Sequence, residues 1–141
     1  METKSILLVE DDELDVISVK RSLSKINMNT ELHTAYNGIE AISMLKGESK
    51  LSRLPDIILL DLNMPKMNGL EFLEELRKDK KFDSIKVYVM TTSNEEQDRI
   101  ATERLRISGY IIKPLNFDQN TKRNASMDYF MHFQILKILN N

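Results

Sequence analysis

An unbroken apolar run that ends in a carboxylate is the feature that most constrains this chain. The segment Ile57-Ile58-Leu59-Leu60 shows no alternation of polar and apolar residues, and it stops at Asp61. Such a run is typical of a strand buried on both faces of a parallel sheet. Asp61 would then stand at the carboxyl end of a central strand, where open α/β sheets bind ligands. The alternative is that Asp61 only ends the strand as a turn residue.

Strand and helix patterns alternate along the chain as far as residue 112. A second apolar run, Ile6-Leu7-Leu8-Val9, also stops at acids. This alternation predicts an α/β fold with a parallel sheet, right-handed crossovers and helices on both faces. The expected strands are 6–9, 31–36, 56–60, 85–90 and 110–112; helices are expected over 13–26, after Asn37-Gly38, and over 70–78 and 95–105, with a charged loop at 79–84.

The end of the chain predicts one long or broken helix over about residues 117–139. Its apolar residues are too many for a solvated helix, so part of it should pack on the sheet as the final helix. The remainder, with Tyr129 or Met131 exposed, would suit a twofold homodimer. The alternative is that the whole apolar face is intramolecular core. The apolar residues concerned are Phe130, Phe133, Leu136 and Ile138.

Composition excludes several classes of protein. The 141 residues suit one domain, and a net charge of −2 leaves no basic footprint for nucleic acid. The chain has no cysteine, which excludes disulfides, thiol nucleophiles and thiolate metal sites. No apolar run reaches the ~18 residues of a membrane helix, and the N-terminus lacks a signal-peptide core. A cytoplasmic protein with no membrane or nucleic-acid partner is therefore expected.

Polar residues follow four of the expected strands at the point where each strand ends. They are Glu10-Asp11-Asp12, Asp61, Thr91 and Lys113. Taken singly, each has an ordinary structural explanation; Asp11 or Asp12, for example, could cap the first helix. In a parallel sheet, however, the carboxyl ends of all strands lie along one edge. The coincidence of these residues therefore favours a functional site.

The chemistry of these groups suits phosphoryl transfer. Clustered carboxylates repel one another and bind hard divalent cations through oxygen, usually Mg²⁺. A carboxylate can also attack phosphorus and form an aspartyl phosphate. An ammonium and a hydroxyl would then stabilise the charge on the phosphoryl oxygens.

The sequence around these positions resembles the receiver domains of two-component response regulators, in particular CheY-like single-domain regulators that partner bacterial phytochromes. The resemblance covers roughly residues 4–118 and rests on four separated blocks in family order and spacing. It implies a doubly wound, flavodoxin-like sheet of order 2-1-3-4-5. It also implies one receiver domain over 1–141, with 119–141 as an extended C-terminal helix and no separate output domain. The blocks are Ile6 to Asp12, Leu59 to Pro65 with Asn68-Gly69, Thr91-Thr92-Ser93, and Ser108 to Pro114.

The resemblance implies a phosphoacceptor and a magnesium site. Asp61 would accept the phosphoryl group and also bind Mg²⁺. Asp11 would ligate the ion directly and Glu10 through water. The main-chain carbonyl of Asn63 would supply a further ligand.

The resemblance also implies a set of switch residues. Thr91 would sense the phosphoryl group and Lys113 would pair with it. The peptide bond from Lys113 to Pro114 would be cis. Tyr110 would swing inward as Thr91 moves; the alternative is that Tyr110 is only an edge-strand aromatic. Arg106-Ile107 stands where the family usually has Gly-Ala, so this turn requires either strain or a different shape.

A histidine kinase or phosphotransfer protein is the expected partner, and the chain is expected to signal rather than to act as an enzyme. Its output would be contact with an unidentified downstream protein through the fourth helix, the last strand and the final helix. One alternative is a haloacid-dehalogenase-like phosphotransferase or phosphatase, but such enzymes need an acid where this chain has Asn63. The other alternative is a degenerate receiver that acts as a binding module.

Overall fold

In the described part of the computed structural model of the chain, five strands alternate with five helices. The structure describes residues 3–26, 28–47, 51, 53–62, 64, 66–91, 96–113 and 125–140, with the backbone alone for 96–98 and 125–130. The elements are β1 (Lys4–Val9), α1 (Glu13–Lys25), β2 (Thr30–Ala35), α2 (Gly38–Leu45), β3 (Ile57–Asp61), α3 (Gly69–Lys78), β4 (Lys86–Thr91), α4 (Glu96–Glu103), β5 (Gly109–Ile112) and α5 (Ala125–Leu139).

The strands form one parallel sheet of order β2-β1-β3-β4-β5. The predicted flavodoxin-like, doubly wound order is therefore confirmed. The register places Asp61 opposite Met90 and Thr91 opposite Ile112. The carboxyl ends of β3, β4 and β5 consequently lie side by side, and the residues that follow them share one edge of the sheet.

Helices cover both faces of the sheet, which explains why the central strands show no polar alternation. Ile6, Leu8 and Leu59 join a core cluster with residues of α1 and α5. Leu7 and Leu60 join a separate cluster with residues of α2 and α3. All five are at most 2% exposed, and burial of each such side chain contributes roughly 1.5–3 kcal/mol.

Two expectations about apolar residues are wrong. The segment 79–84 is not simply a charged loop, because it contains a 3-10 turn, Lys80–Phe82, whose Phe82 side chain belongs to the core. Met131 is fully buried, and among the described side chains of the final helix the exposed aromatic residue is Phe133, at 63%. The side chains of Tyr129 and Phe130 and the backbone of 117–124 lie outside the described residues.

The final helix is tied to the outer edge of the sheet by one amide side chain. Gln134 accepts a hydrogen bond from the Ile112 backbone N–H (2.8 Å) and donates one to the Ile112 carbonyl (2.9 Å). Its amide thus satisfies both main-chain groups that this edge residue turns outward. Within the described ranges, no helix combines the length and apolarity needed to cross a bilayer.

The turn before β5 is strained, which is one of the two outcomes expected from Arg106-Ile107. Arg106 adopts a left-handed conformation, with φ of 59°. The Arg106 carbonyl accepts a hydrogen bond from the Arg77 guanidinium (3.1 Å), which also donates to the Leu105 carbonyl (2.9 Å). The Arg106 guanidinium lies 3.3 Å from Asp83 in an exposed ion pair. Arg77 therefore holds a turn in which a residue other than glycine is unfavourable.

We expect Arg106→Gly to be more stable than Arg106→Ala by about 1 kcal/mol, since both lose the ion pair and only alanine keeps the left-handed strain. Urea unfolding of the two variants measures this difference. Arg104→Gly and Arg104→Ala, compared in the same way at the end of α4, should show no advantage for glycine. Equal stability of the two Arg106 variants would contradict the strained turn.

Candidate functional site

The strand-end residues meet at the carboxyl edge of the sheet. Glu10 directly follows β1, Asp61 ends β3, Thr91 ends β4 and Lys113 directly follows β5. A backbone hydrogen bond from the Lys113 N–H to the Thr91 carbonyl (2.8 Å) continues the pairing of β4 and β5 beyond their last residues. The structure thus brings together groups that are up to 103 residues apart, from Glu10 to Lys113.

Three carboxyl groups form an acidic cluster at this edge. One oxygen from each of Glu10, Asp11 and Asp61 lies within 4.8 Å of the others. Glu10 and Asp61 are buried, at 0% and 4% exposure, whereas Asp11 is exposed. The cluster therefore opens to solvent at Asp11. Carboxylate oxygens are the ligands preferred by hard divalent cations, so this donor set fits such an ion.

Lys113 lies in the same pocket and contacts three carboxylates. Its Nζ is 2.5 Å from Glu10 Oε1, 2.9 Å from Asp15 Oδ2 and 3.2 Å from Asp61 Oδ1. The lysine side chain is only 7% exposed. Because an ammonium has three N–H donors, these contacts occupy its full donor capacity.

Burial and mutual charge shift the protonation of this pocket. Burial raises the pKa of Glu10 to about 9, Asp61 pushes the pKa in the same direction, and Lys113 opposes both. Burial alone would lower the pKa of Lys113, but Glu10, Asp61 and Asp15 outweigh it and raise that pKa above its ordinary value. The lysine therefore stays cationic, while Glu10 retains a proton more readily than an ordinary glutamate.

The start of α3 lies close to the end of β3. The Gly69 N–H donates to the Leu62 carbonyl (3.1 Å), and a Cβ at Gly69 would lie 2.3 Å from the Asp61 carbonyl oxygen. Asn68 caps α3 through the Glu71 N–H, and Glu71 returns a bond to the Asn68 N–H. This capping box and the bare backbone of Gly69 position the start of α3 against Asp61.

Asp15 is a pocket residue that sequence reasoning missed. The sequence carried no prediction for Asp15, yet it is 2% exposed and contacts Lys113. A signal was present: Asp15 precedes Val19 by four residues and Ser22 by seven, and both are buried on the same helical face. Asp12, in contrast, is the N-cap, and its side chain accepts from the Leu14 N–H.

Thr91 and Tyr110 lie at different depths of this edge. Thr91 is 7% exposed at the end of β4. Tyr110 is half-buried, with its hydroxyl 2.7 Å from the Thr102 hydroxyl and its ring 5.5 Å beneath the Arg99 guanidinium. The tyrosine is thereby engaged with α4. Thr102 is fully buried, and the sequence did not indicate its contact with Tyr110.

Two predicted site features lie outside the described residues. They are the main-chain carbonyl of Asn63 and the cis peptide to Pro114. Both remain predictions, as do the individual roles assigned above to the site residues.

Comparisons with known proteins agree with this geometry. Residues 6–124 match the family model of the response regulator receiver domain. The chain is 36% identical to response regulator Rcp1 from Synechocystis over 129 residues, which cover 90% of this chain and 88% of Rcp1. The structure of Mn²⁺-bound Rcp1 superposes with a TM-score of 0.79 at 34% identity, covering 96% of this chain and 91% of that one.

Two further solved structures extend the similarity. A two-component response regulator from Legionella pneumophila has a TM-score of 0.76 and 40% identity, covering 97% of this chain and 98% of that one. The phosphorylated cyanobacterial phytochrome response regulator RcpA has a TM-score of 0.81 and 32% identity, covering 99% and 92%. Sheet order, strand-end site and family match together establish that this chain belongs to the response regulator receiver domain family.

Proposed function

We propose that the chain is a phosphorylation-driven switch. Asp61 accepts a phosphoryl group from a sensor histidine kinase or a phosphotransfer protein, in a reaction that depends on Mg²⁺. The resulting change at the α4, β5 and α5 surface alters contact with a downstream protein. The observation that carries the proposal is the buried Asp61 carboxylate, 3.2 Å from the Lys113 ammonium within a cluster of acids.

The transfer itself requires only groups that are present in the pocket. An oxygen of Asp61 forms a bond to phosphorus as the bond from phosphorus to the donor imidazole nitrogen breaks, and the nitrogen keeps the electron pair. Asp61 needs no general base, because a carboxylate is a nucleophile without losing a proton. Lys113 pairs with one phosphoryl oxygen, and the Thr91 hydroxyl donates a hydrogen bond to another.

Glu10, Asp11 and Asp61 are the described residues that would hold the ion. When bound, Mg²⁺ supplies positive charge that offsets the incoming phosphoryl oxygens. The relative Rcp1 has been solved with Mn²⁺, which prefers the same oxygen ligands. Asp11 is exposed and Glu10 is fully buried, so an ion entering from solvent would meet Asp11 first.

The path from the pocket to the signalling surface passes through β4 and β5. Thr91 is paired in register with Ile112, next to Lys113, and Val89 is paired with Tyr110. A shift of Thr91 toward a phosphoryl group would alter the space beside Tyr110. The tyrosine would then leave the Thr102 hydroxyl, and the face of α4 that it supports would change.

We expect wild-type protein incubated with Mg²⁺ and acetyl phosphate to gain one hydroxylamine-labile phosphoryl group, as measured by intact mass. Asp61→Asn should gain none, because an amide oxygen is a far poorer nucleophile than a carboxylate. Asp12→Asn, the same substitution at the exposed helix cap beside the pocket, should behave as wild type. A gain that persists in Asp61→Asn would contradict the assignment.

Glu10 should make the metal-free protein less stable as pH rises. Its pKa is about 9 in the folded chain against 4.5 ordinarily, so between these values the folded state keeps a proton that the unfolded chain has released. Stability is therefore lost through that window. Glu10→Gln cannot ionise, and its melting temperature should fall less from about pH 5 to 9 than that of wild type. A difference of several degrees is expected, at roughly 3 °C for each kcal/mol.

The control for this experiment is Glu13→Gln, an exposed glutamate in the first turn of α1. Melting curves in chelator should show the wild-type pH dependence for this variant. Added Mg²⁺ should raise the melting temperature of wild type at the alkaline end of the range. Identical pH profiles for Glu10→Gln and wild type would refute the buried, proton-retaining glutamate.

A homodimer remains a prediction, now centred on Phe133. This residue is 63% exposed on α5, whereas Met131 and Ile135 of the same helix are buried. If the phosphorylated form dimerises through α5, sedimentation at micromolar protein should show dimer with Mg²⁺ and fluoroberyllate. Phe133→Ser should then be monomeric, and Ile39→Ser, at a 55% exposed apolar residue of α2 away from this surface, serves as its control. A monomer throughout for wild type would exclude this dimer.

A further inference from the structure

Asp15 is buried beside the pocket but is separate from the acidic cluster. It is the third residue of α1, and its carboxylate oxygen lies 2.9 Å from Lys113 Nζ with a side-chain exposure of 3%. A negative charge is favourable in the first turn of a helix, where unpaired N–H groups give the end a partial positive charge. The helix and the lysine therefore both accommodate a carboxylate that burial alone would make costly.

The three partners of Lys113 differ in what else they must do. Glu10 and Asp61 belong to the cluster whose oxygens fit a divalent cation, and Asp61 would also carry the phosphoryl group. Both would have to loosen or exchange their contacts with Lys113 when a cation and a phosphoryl group occupy the pocket. Asp15 is not part of that cluster among the described residues. Its contact with the ammonium is therefore one that neither the cation nor the phosphoryl group would displace.

We propose that Asp15 is a positioning residue: it holds the Lys113 ammonium at the pocket while Glu10 and Asp61 turn to the metal and the phosphoryl group. This inference rests on the proposed function. Of the three N–H donors of Lys113, one stays on Asp15 and another becomes available to a phosphoryl oxygen. Without Asp15, only groups needed for the chemistry would orient the lysine, and the lysine would compete with the cation for them.

A merely structural Asp15 would stabilise the fold without setting the position of the ammonium. Asp15→Asn distinguishes these roles, since it keeps the shape and polarity of the side chain and removes only the charge. Asp12→Asn is the matched control: it removes the same charge three residues away, and asparagine is also a good helix cap. Lys113→Met identifies the lysine signal and removes the partner through which Asp15 would act.

The first measurement is made without metal or phosphoryl donor. In protein with isotope-labelled lysine, the buried Lys113 ammonium should give a slowly exchanging NMR signal that is absent in Lys113→Met. Asp12→Asn should retain the signal. Asp15→Asn should speed its hydrogen exchange by roughly tenfold, the loss expected for one charge-assisted hydrogen bond. An unchanged exchange rate in Asp15→Asn would overturn the proposal.

The second measurement is the initial rate of phosphorylation by acetyl phosphate at saturating Mg²⁺. Asp15→Asn should be roughly tenfold slower than wild type, and Asp12→Asn should match wild type. In the Lys113→Met background, Asp15→Asn should produce no further loss, because the partner is already gone. A wild-type rate in Asp15→Asn, or an equal loss in both backgrounds, would overturn the positioning role.

Two further outcomes are decisive. If wild type gains no phosphoryl group at all, the proposed function fails, and the ammonium signal still decides whether Asp15 holds Lys113. If Asp15→Asn does not fold, its stability is compared in the Lys113→Met background. Recovery of folding in the double variant supports the pairing, since an unbalanced lysine caused the loss; an unfolded double variant overturns it.

Discussion

The structure depends on one buried ammonium surrounded by carboxylates. Lys113 lies within 3.2 Å of Glu10, Asp15 and Asp61, and moving each of these charges out of water costs several kcal/mol before pairing. Each of these charges lowers the cost of burying the others. Their pairing therefore favours the one arrangement of β1, α1, β3 and the end of β5 that brings them together.

The pocket nevertheless buries more acidic side chains than ammonium groups. One ammonium contacts three acidic side chains, and burial together with Asp61 raises the pKa of Glu10 despite the opposing effect of Lys113. A divalent cation would supply the missing charge. The group of acids that is costly to bury in the metal-free chain is also a set of oxygen ligands that a hard divalent cation prefers.

Sequence reasoning succeeded where the signal was periodic or repeated. Apolar runs located the strands, and the coincidence of acids, Thr91 and Lys113 at their ends correctly predicted that these groups lie at one edge of the sheet. It failed where a position departs from its local pattern. Asp15 was missed because only apolar residues were used to define the buried face of α1, and Phe82 because the lysines and aspartates around it resemble a solvated loop. The attachment of Tyr110 to Thr102 depends on tertiary packing, which no local period encodes.

The amide of Gln134 also has a consequence for the free side of the sheet. β5 is an edge strand, and an edge strand offers unpaired N–H and C=O groups with which another extended chain can pair. Gln134 occupies both groups of Ile112. Its amide thereby makes the two hydrogen bonds that a sixth strand would make to this residue. At this residue the sheet is thereby protected from irreversible association, in which another copy of the chain adds its own strand to the edge.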